Sequence, residues 1–192
     1  NKDILVNYRA KQLRCTNFNT LHFLLANGEI QGKTIVMCYS VKDCYTLKKL
    51  VPNSFVLVSK SNSNYMPEME EVRNYIIENE SLPDTYMEVT ERDNNKRPIK
   101  FERRKLNVLI STSTLREGIN LRKGSGIKNI VVCFTDELHI SQCVGRCRFN
   151  IENLIVVDTY IRTDNYNPKS YLAEQRQLFK DYMENRSNTR WF

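Results

Sequence analysis

The chain predicts a three-layer α/β fold built on a mainly parallel sheet. Three observations predict it: five short apolar runs without polar alternation, helix-like segments between them, and a small polar residue after every run. Continuous runs rich in β-branched residues mark strands buried on both faces, the situation of a parallel sheet covered by helices. Strand and helix in alternation then give the layered class.

A helix is expected around 18–27, ahead of the first strand. The first run is Ile35-Val36-Met37-Cys38-Tyr39, and Ser40 after it suits the cap of a helix over 41–50. The second run, Phe55-Val56-Leu57-Val58, leads through Ser59 and Lys60 to a helix over 67–79 that opens with Pro67, a residue at home in a first helical turn. Residues 81–105 break the rhythm with Pro83, Asp93-Asn94-Asn95 and Pro98, and predict an insertion or hairpin. Val108-Leu109-Ile110 follows and ends at Ser111 and Thr112. Ile130-Val131-Val132-Cys133-Phe134 ends at Thr135 and Asp136 and feeds a helix over 138–148. Leu154-Ile155-Val156-Val157 ends at Asp158, and a last helix is expected over 168–186. A length of 192 residues suits one domain over 1–192.

Composition narrows the function classes. No apolar stretch approaches the roughly 18 residues of a membrane span, and the N-terminus has no signal-peptide core. A cytoplasmic piece of a longer protein, with no membrane partner, is the expectation. The six cysteines form no Cys-x-x-Cys pair and only two histidines accompany them, so reduced structural thiols are expected and no metal site. Net charge is +7, but nine acids and two bases fall within 68–93, leaving 27 basic against 13 acidic residues elsewhere. That excess suits a polyanionic partner. Its densest cluster is Lys96, Arg97, Lys100, Arg103, Arg104 and Lys105, which is equally explained as a solvated loop.

In parallel sheets ligands bind beyond the carboxyl ends of the strands, where this chain places Ser40, Ser59, Ser111, Thr112, Thr135, Asp136 and Asp158. Helix capping or phosphate contact explains such residues. Two nucleotide-site look-alikes fail. Gly32-Lys33-Thr34 suggests a phosphate loop, but Asn27 stands where that motif needs a small residue, and the tripeptide leads into a strand instead of a helix. Without that loop, the acidic stretch Asp136-Glu137-Leu138-His139 has no magnesium nucleotide to hold.

Two longer stretches are more specific. Residues 107–121 read Asn-Val-Leu-Ile-Ser-Thr-Ser-Thr-Leu-Arg-Glu-Gly-Ile-Asn-Leu, and 142–150 read Gln-Cys-Val-Gly-Arg-Cys-Arg-Phe-Asn. In this order they resemble motifs V and VI of superfamily 2 helicases of the DEAD/DEAH type. Lys33 to Leu50 resembles the surroundings of motif IV, so the likeness covers about residues 30–160. It implies the C-terminal, second RecA-like domain of an ATP-dependent nucleic-acid helicase or translocase.

The resemblance implies roles residue by residue. Arg146 matches the Gly-Arg pair at the nucleotide and would be a catalytic arginine finger. The family's further arginine falls at Phe149, so Arg148 either replaces it or contacts a neighbouring strand. Gln142, Gly118 and Asn120 would face the nucleotide, while Ser40, Ser59, Lys60 and Thr112 would touch the nucleic-acid backbone. ATP and Mg2+ would be bound mainly by an N-terminal RecA-like domain of the same protein, so this chain alone would hydrolyse nothing. Single-stranded DNA or RNA would be the partner. The alternative is a catalytically degenerate nucleic-acid-binding or scaffold domain, which the missing arginine favours. A complete small NTPase using Lys33 and Asp136 is a third reading, disfavoured by the order of strand and loop.

Overall fold

A computed structural model describes residues 11–15, 21, 25–27, 30–95, 97–112, 120–122, 126–133, 137–147, 149 and 151–157. Among the described residues there are eight strands: β1 (Lys11–Cys15), β2 (Lys33–Met37), β3 (Ser54–Leu57), β4 (Thr85–Arg92), β5 (Pro98–Lys105), β6 (Val108–Ser111), β7 (Ile127–Val132) and β8 (Asn153–Val157). The three helices with defined bounds are α1 (Val41–Leu50), α2 (Glu68–Asn79) and α3 (Glu137–Val144). Leu21 and Leu25 are also helical and buried, where a first helix was expected. The last expected helix, over 168–186, lies outside the described residues.

Six strands form one parallel sheet in the order β1-β8-β7-β2-β6-β3. All five apolar runs are strands of it, and the chain is a mainly parallel sheet with flanking helices, as expected. The runs fill the core: Ile35, Val36, Leu109, Ile110, Ile130 and Val131 are wholly buried. Central β2 lies between β6 and β7, with Ile35 level with both Leu109 and Ile130. One strand was not expected. β1, with its Lys-Gln-Leu-Arg-Cys sequence, pairs with β8 at the sheet edge.

Local chemistry sets the helix ends. The Asp43 amide donates to Ser40 Oγ at 3.2 Å, and Ser40 Oγ donates to Asp43 Oδ2 at 2.7 Å, closing the first turn of α1. Lys48 and Lys49 complement the negative end of the same helix. In α2, Glu68, Glu70 and Glu71 crowd the first turn, Met69, Val72 and Ile76 supply one buried stripe, and Glu80 ends the helix at a left-handed φ of 52°. At the opposite ends of the strands, buried Asn129 donates to the Gln31 carbonyl at 2.8 Å and to Thr34 Oγ1 at 3.2 Å, and accepts from Asn153 Nδ2 at 2.7 Å. This amide ladder ties the starts of β2, β7 and β8 together, and each member would cost more unpaired than it contributes paired.

Residues 81–105 contain the expected hairpin, the antiparallel β4–β5 ribbon. Asp93 Oδ1 accepts from the amides of Asn95 and Arg97 to form its tip. The ribbon starts at the N-terminal edge of the sheet, where Lys33 donates to Asp84 and to the Pro83 carbonyl. It ends β4 beside the start of α2, where Arg92 pairs with Glu68. Between these points Tyr86 packs against Phe55 of edge strand β3, the rings tilted by 55° with centres 4.9 Å apart. Tyr86 Oη and Lys48 Nζ both donate to the Ser54 carbonyl at the start of that strand. Side chains thus shield one end of an otherwise open sheet edge.

Candidate functional site

The expected site residues fall in two groups. The first lies where the parallel strands end. β2 stops at Met37, three residues short of Ser40, and Cys38 N donates to the Ser111 carbonyl at 2.7 Å while Cys133 N donates to the Met37 carbonyl at 2.9 Å. Backbone pairing therefore runs up to the rim. Ser111 is buried and its hydroxyl donates to the Leu57 carbonyl at 2.8 Å, locking β6 to β3. Thr112, the next residue, is half-buried at the rim.

The hydroxyl of Ser40 is engaged in capping α1, so its capping role is satisfied within the fold. Ser59 and Ser61 share a hydrogen bond of 2.9 Å. Lys60 pairs with Glu70, which also accepts from Tyr65 Oη. The Lys60 hydrogen bond, with that of Tyr65, holds the Glu70 carboxyl below its ordinary pKa. Lys60 is exposed.

Sequence reasoning missed Tyr39. Its aromatic character places it inside the first apolar run, yet the strand ends two residues earlier and Tyr39 is 84% exposed. It makes no hydrogen bond or ring contact with any described residue. The usable signal was its position just before a capping serine, because a residue beyond the strand end has left the sheet's buried faces.

The second group pairs the two motif-like segments. α3 was expected to run to 148 and instead stops at Val144, so Arg146 sits in a turn after the helix. Arg146 N donates to the Cys143 carbonyl at 3.2 Å and Cys147 N to that of Val144 at 3.0 Å, which tightens the chain around Gly145. Leu121 then captures the chain. Its amide donates to the Arg146 carbonyl at 3.0 Å, and Leu121 and Cys147 form an isolated parallel bridge. Next to this bridge, Arg146 Nη1 donates to Asn120 Oδ1 at 3.3 Å. Arg122 continues the loop and anchors it to the end of α2, through its amide to the Glu80 carbonyl at 3.0 Å and its Nε 3.2 Å from Glu80 Oε1. Gln142 is exposed on α3. Gly118 and Arg148 lie outside the described residues.

Arg146 is half-buried, and among the described residues its guanidinium donates to one neutral acceptor, Asn120 Oδ1, which leaves further N–H donors on the same group. Gly32-Lys33-Thr34 behaves differently. Lys33 N donates to the Gly126 carbonyl and Thr34 N to that of Asn107, so these amides serve the sheet and cannot wrap phosphates. Gly32 itself is a turn residue, at φ 87° and against the stem of Lys128.

Three of the buried thiols, Cys38, Cys44 and Cys147, have raised pKa values. Hydrogen bonding to Cys133 raises the pKa of Cys38 despite an opposing bond from Cys44, and the Cys38 contact and burial raise that of Cys44. Desolvation pushes Cys147 up to about 12. Protonated thiols are poor nucleophiles and poor metal ligands. Among the described residues no three His, Cys, Asp or Glu side chains are arranged to hold a metal ion, and no helix is long and apolar enough to cross a membrane.

No family model matches the sequence, and no curated protein matches it significantly. Solved structures are similar in fold. One is S. cerevisiae Dbp5 bound to RNA and ADP BeF3, at 15% identity and a TM-score of 0.49 over 96% of this chain and 46% of that one. Another is the C-terminal domain of S. cerevisiae Dbp5 L327V bound to Gle1 H337R and IP6, at 16% identity and a TM-score of 0.47 over 90% of this chain and 99% of that one. A third is the Pyrococcus furiosus Hef helicase domain, at 14% identity and a TM-score of 0.44 over 81% of this chain and 28% of that one.

Proposed function

We propose that the chain is the second RecA-like motor domain of an ATP-dependent superfamily 2 helicase or translocase. The observation that carries this reading is the union of Asn120 and Arg146, which joins two sequence segments that separately resemble nucleotide-facing motifs. ATP with Mg2+ would lie against this turn, held mainly by the phosphate loop of a first RecA-like domain. Bound there, the nucleotide supplies the phosphoryl group whose transfer to water drives movement.

This chain's part is electrostatic and positional. Arg146 would stabilise the charge that develops on the γ-phosphate of a nucleotide held by the first domain. Asn120 orients the guanidinium, and Gln142, on the exposed face of α3, hydrogen-bonds across the cleft. Thr112, Ser59 and Lys60 follow the backbone of a single strand along the rim, each making one phosphate contact, while Ser40, whose hydroxyl proton is given to Asp43, caps α1 instead. Cleft closure and opening then shift that strand past the rim.

The test is nucleic-acid-stimulated ATP hydrolysis by a protein in which this chain is joined to its first domain. Hydrolysis that rises with added single strand supports the motor reading, and its absence in a folded, nucleotide-binding protein sinks it. A second reading, a degenerate binding or scaffold domain, draws on Phe149. That residue occupies the place of the family's further arginine and packs against the core, so the position contributes packing where the family has charge.

A further inference from the structure

The β4–β5 ribbon is used neither by the rim nor by the Arg146 turn. Every residue of β5 from Ile99 to Lys105 is exposed, on both faces of the strand, including Ile99 at 56% and Phe101 at 46%. The ribbon is attached through β4, whose Tyr86, Glu88 and Arg92 grip Phe55, Lys48 and Glu68. β5 is therefore the outer strand of the ribbon, touching α2 through the Arg103–Glu71 pair.

Its eight residues carry Lys100, Arg103, Arg104 and Lys105 against a single acid, Glu102. Arg104 lies 3.0 Å from Glu102 and Arg103 lies 3.6 Å from Glu71. Lys100 and Lys105 form no ion pair with any described residue. Pairing sets Phe101 opposite Val89, Arg103 opposite Met87 and Lys105 opposite Thr85, so these residues share a face. Along that face an aromatic ring and two cations follow at steps of about 6.7 Å. Cations for phosphates beside an aromatic for a base are what a single strand requires. A protein partner fits less well, because lysine is depleted where protein interfaces are buried.

We propose that β5 is a second nucleic-acid contact, separate from the strand-end rim, which binds a single strand through Arg103 and Lys105 and packs Phe101 against a base. The proposal rests on the nucleic-acid reading above and adds a site to it.

The experiment titrates the chain with a fluorescein-labelled single-stranded oligonucleotide at several salt concentrations. Removing two phosphate contacts in Arg103→Ala/Lys105→Ala should reduce the slope of log affinity against log salt by about 1.4. Phe101→Ala should weaken binding roughly tenfold with the slope retained. Lys49→Ala/Lys128→Ala changes net charge equally, off the ribbon, and should keep the wild-type slope. If the ribbon variants melt normally and keep the wild-type slope and affinity, the ribbon is no contact, the rim reading stands, and a protein partner becomes the occupant to test. An equal change in the Lys49/Lys128 control also overturns the proposal, since net charge alone then explains the effect. A wild-type chain that binds no oligonucleotide removes this site and the nucleic-acid reading together.

Discussion

Arg146 and Asn120 are joined twice, once by a guanidinium donating to an amide oxygen at 3.3 Å and once through the backbone, where the amide after Asn120 donates to the Arg146 carbonyl at 3.0 Å. The backbone bond fixes the turn and the side-chain bond aims the cation. An arginine so held needs little reorganisation when an anion arrives, which is the condition under which a preorganised charge is most effective.

In a protein carrying both motor domains, Arg146→Ala should lower nucleic-acid-stimulated ATP hydrolysis by about three decades or more while leaving ATP binding largely intact. Turnover and nucleotide affinity measured together check this. Arg148→Ala should match it if Arg148 replaces the family's further arginine, and should have a much smaller effect otherwise. Near-normal turnover in Arg146→Ala would mean that the motor reading of this turn is wrong.

Asn120→Ala should remove the aim and keep the charge. Misplacement of a catalytic group by about 1 Å can reduce rate by roughly a hundredfold, so hydrolysis should fall by less than in Arg146→Ala. A loss equal to that of Arg146→Ala would give Asn120 a direct role at the nucleotide.

The chain alone should have no ATPase activity, because the amides of Lys33 and Thr34 are engaged in the sheet and Lys33 Nζ is bonded to Asp84 and Pro83. A coupled phosphate-release assay on the purified chain checks it. Turnover that Lys33→Ala abolishes would restore Gly32-Lys33-Thr34 as a phosphate site.

Tyr39→Ala should weaken single-strand binding by about 1 to 3 kcal/mol, the contribution of one stacked base, with no change in salt dependence. Tyr39→Phe should retain affinity, and Tyr39→Trp should report binding by fluorescence quenching. Full affinity in Tyr39→Ala would make this exposed ring a bystander.

Acid should loosen the ribbon through Glu88. Desolvation raises its pKa, but hydrogen bonds from Lys48 and Tyr86 outweigh that and hold the carboxyl below the ordinary value. A folded pKa below the unfolded one means that this stabilisation is complete above about pH 4.3 and is lost as pH falls through the folded value. Urea unfolding at stepped pH should show wild type and Glu88→Gln converging in acid, with wild type more stable at neutral pH. A difference that stays constant with pH would remove Glu88 from the acid response.

The fold was legible where burial on two faces demands an unbroken apolar run, as in Ile35 to Met37 or Ile130 to Val132. The hairpin was legible from its prolines and its Asp-Asn-Asn tip, which local turn chemistry dictates. β1 was not, since an edge strand can pair along one side without an apolar run to announce it. The early end of α3 was legible only in part. The helix ends directly before Gly145, a common stop residue, and the chain beyond it is bridged to Leu121 through Cys147, a partner distant in the chain. In the candidate site, the pairing of Asn120 with Arg146 was foreshadowed by motif order, whereas the exposure of Tyr39 depended on where β2 ends.

The sheet order carries a consequence for how the molecule assembles. β1 comes first among the described strands, yet its neighbour β8 comes last among them. Contacts this distant in sequence must overcome loop-closure entropy before they return anything, so the docking of β1 should be a late and slow event. During synthesis β1 emerges early and waits without a partner until Asn153–Val157 has left the ribosome. Through that interval the exposed edge of β8's future neighbour is open to wrong pairings, and a chain cut before β8 should refold with its first strand unplaced.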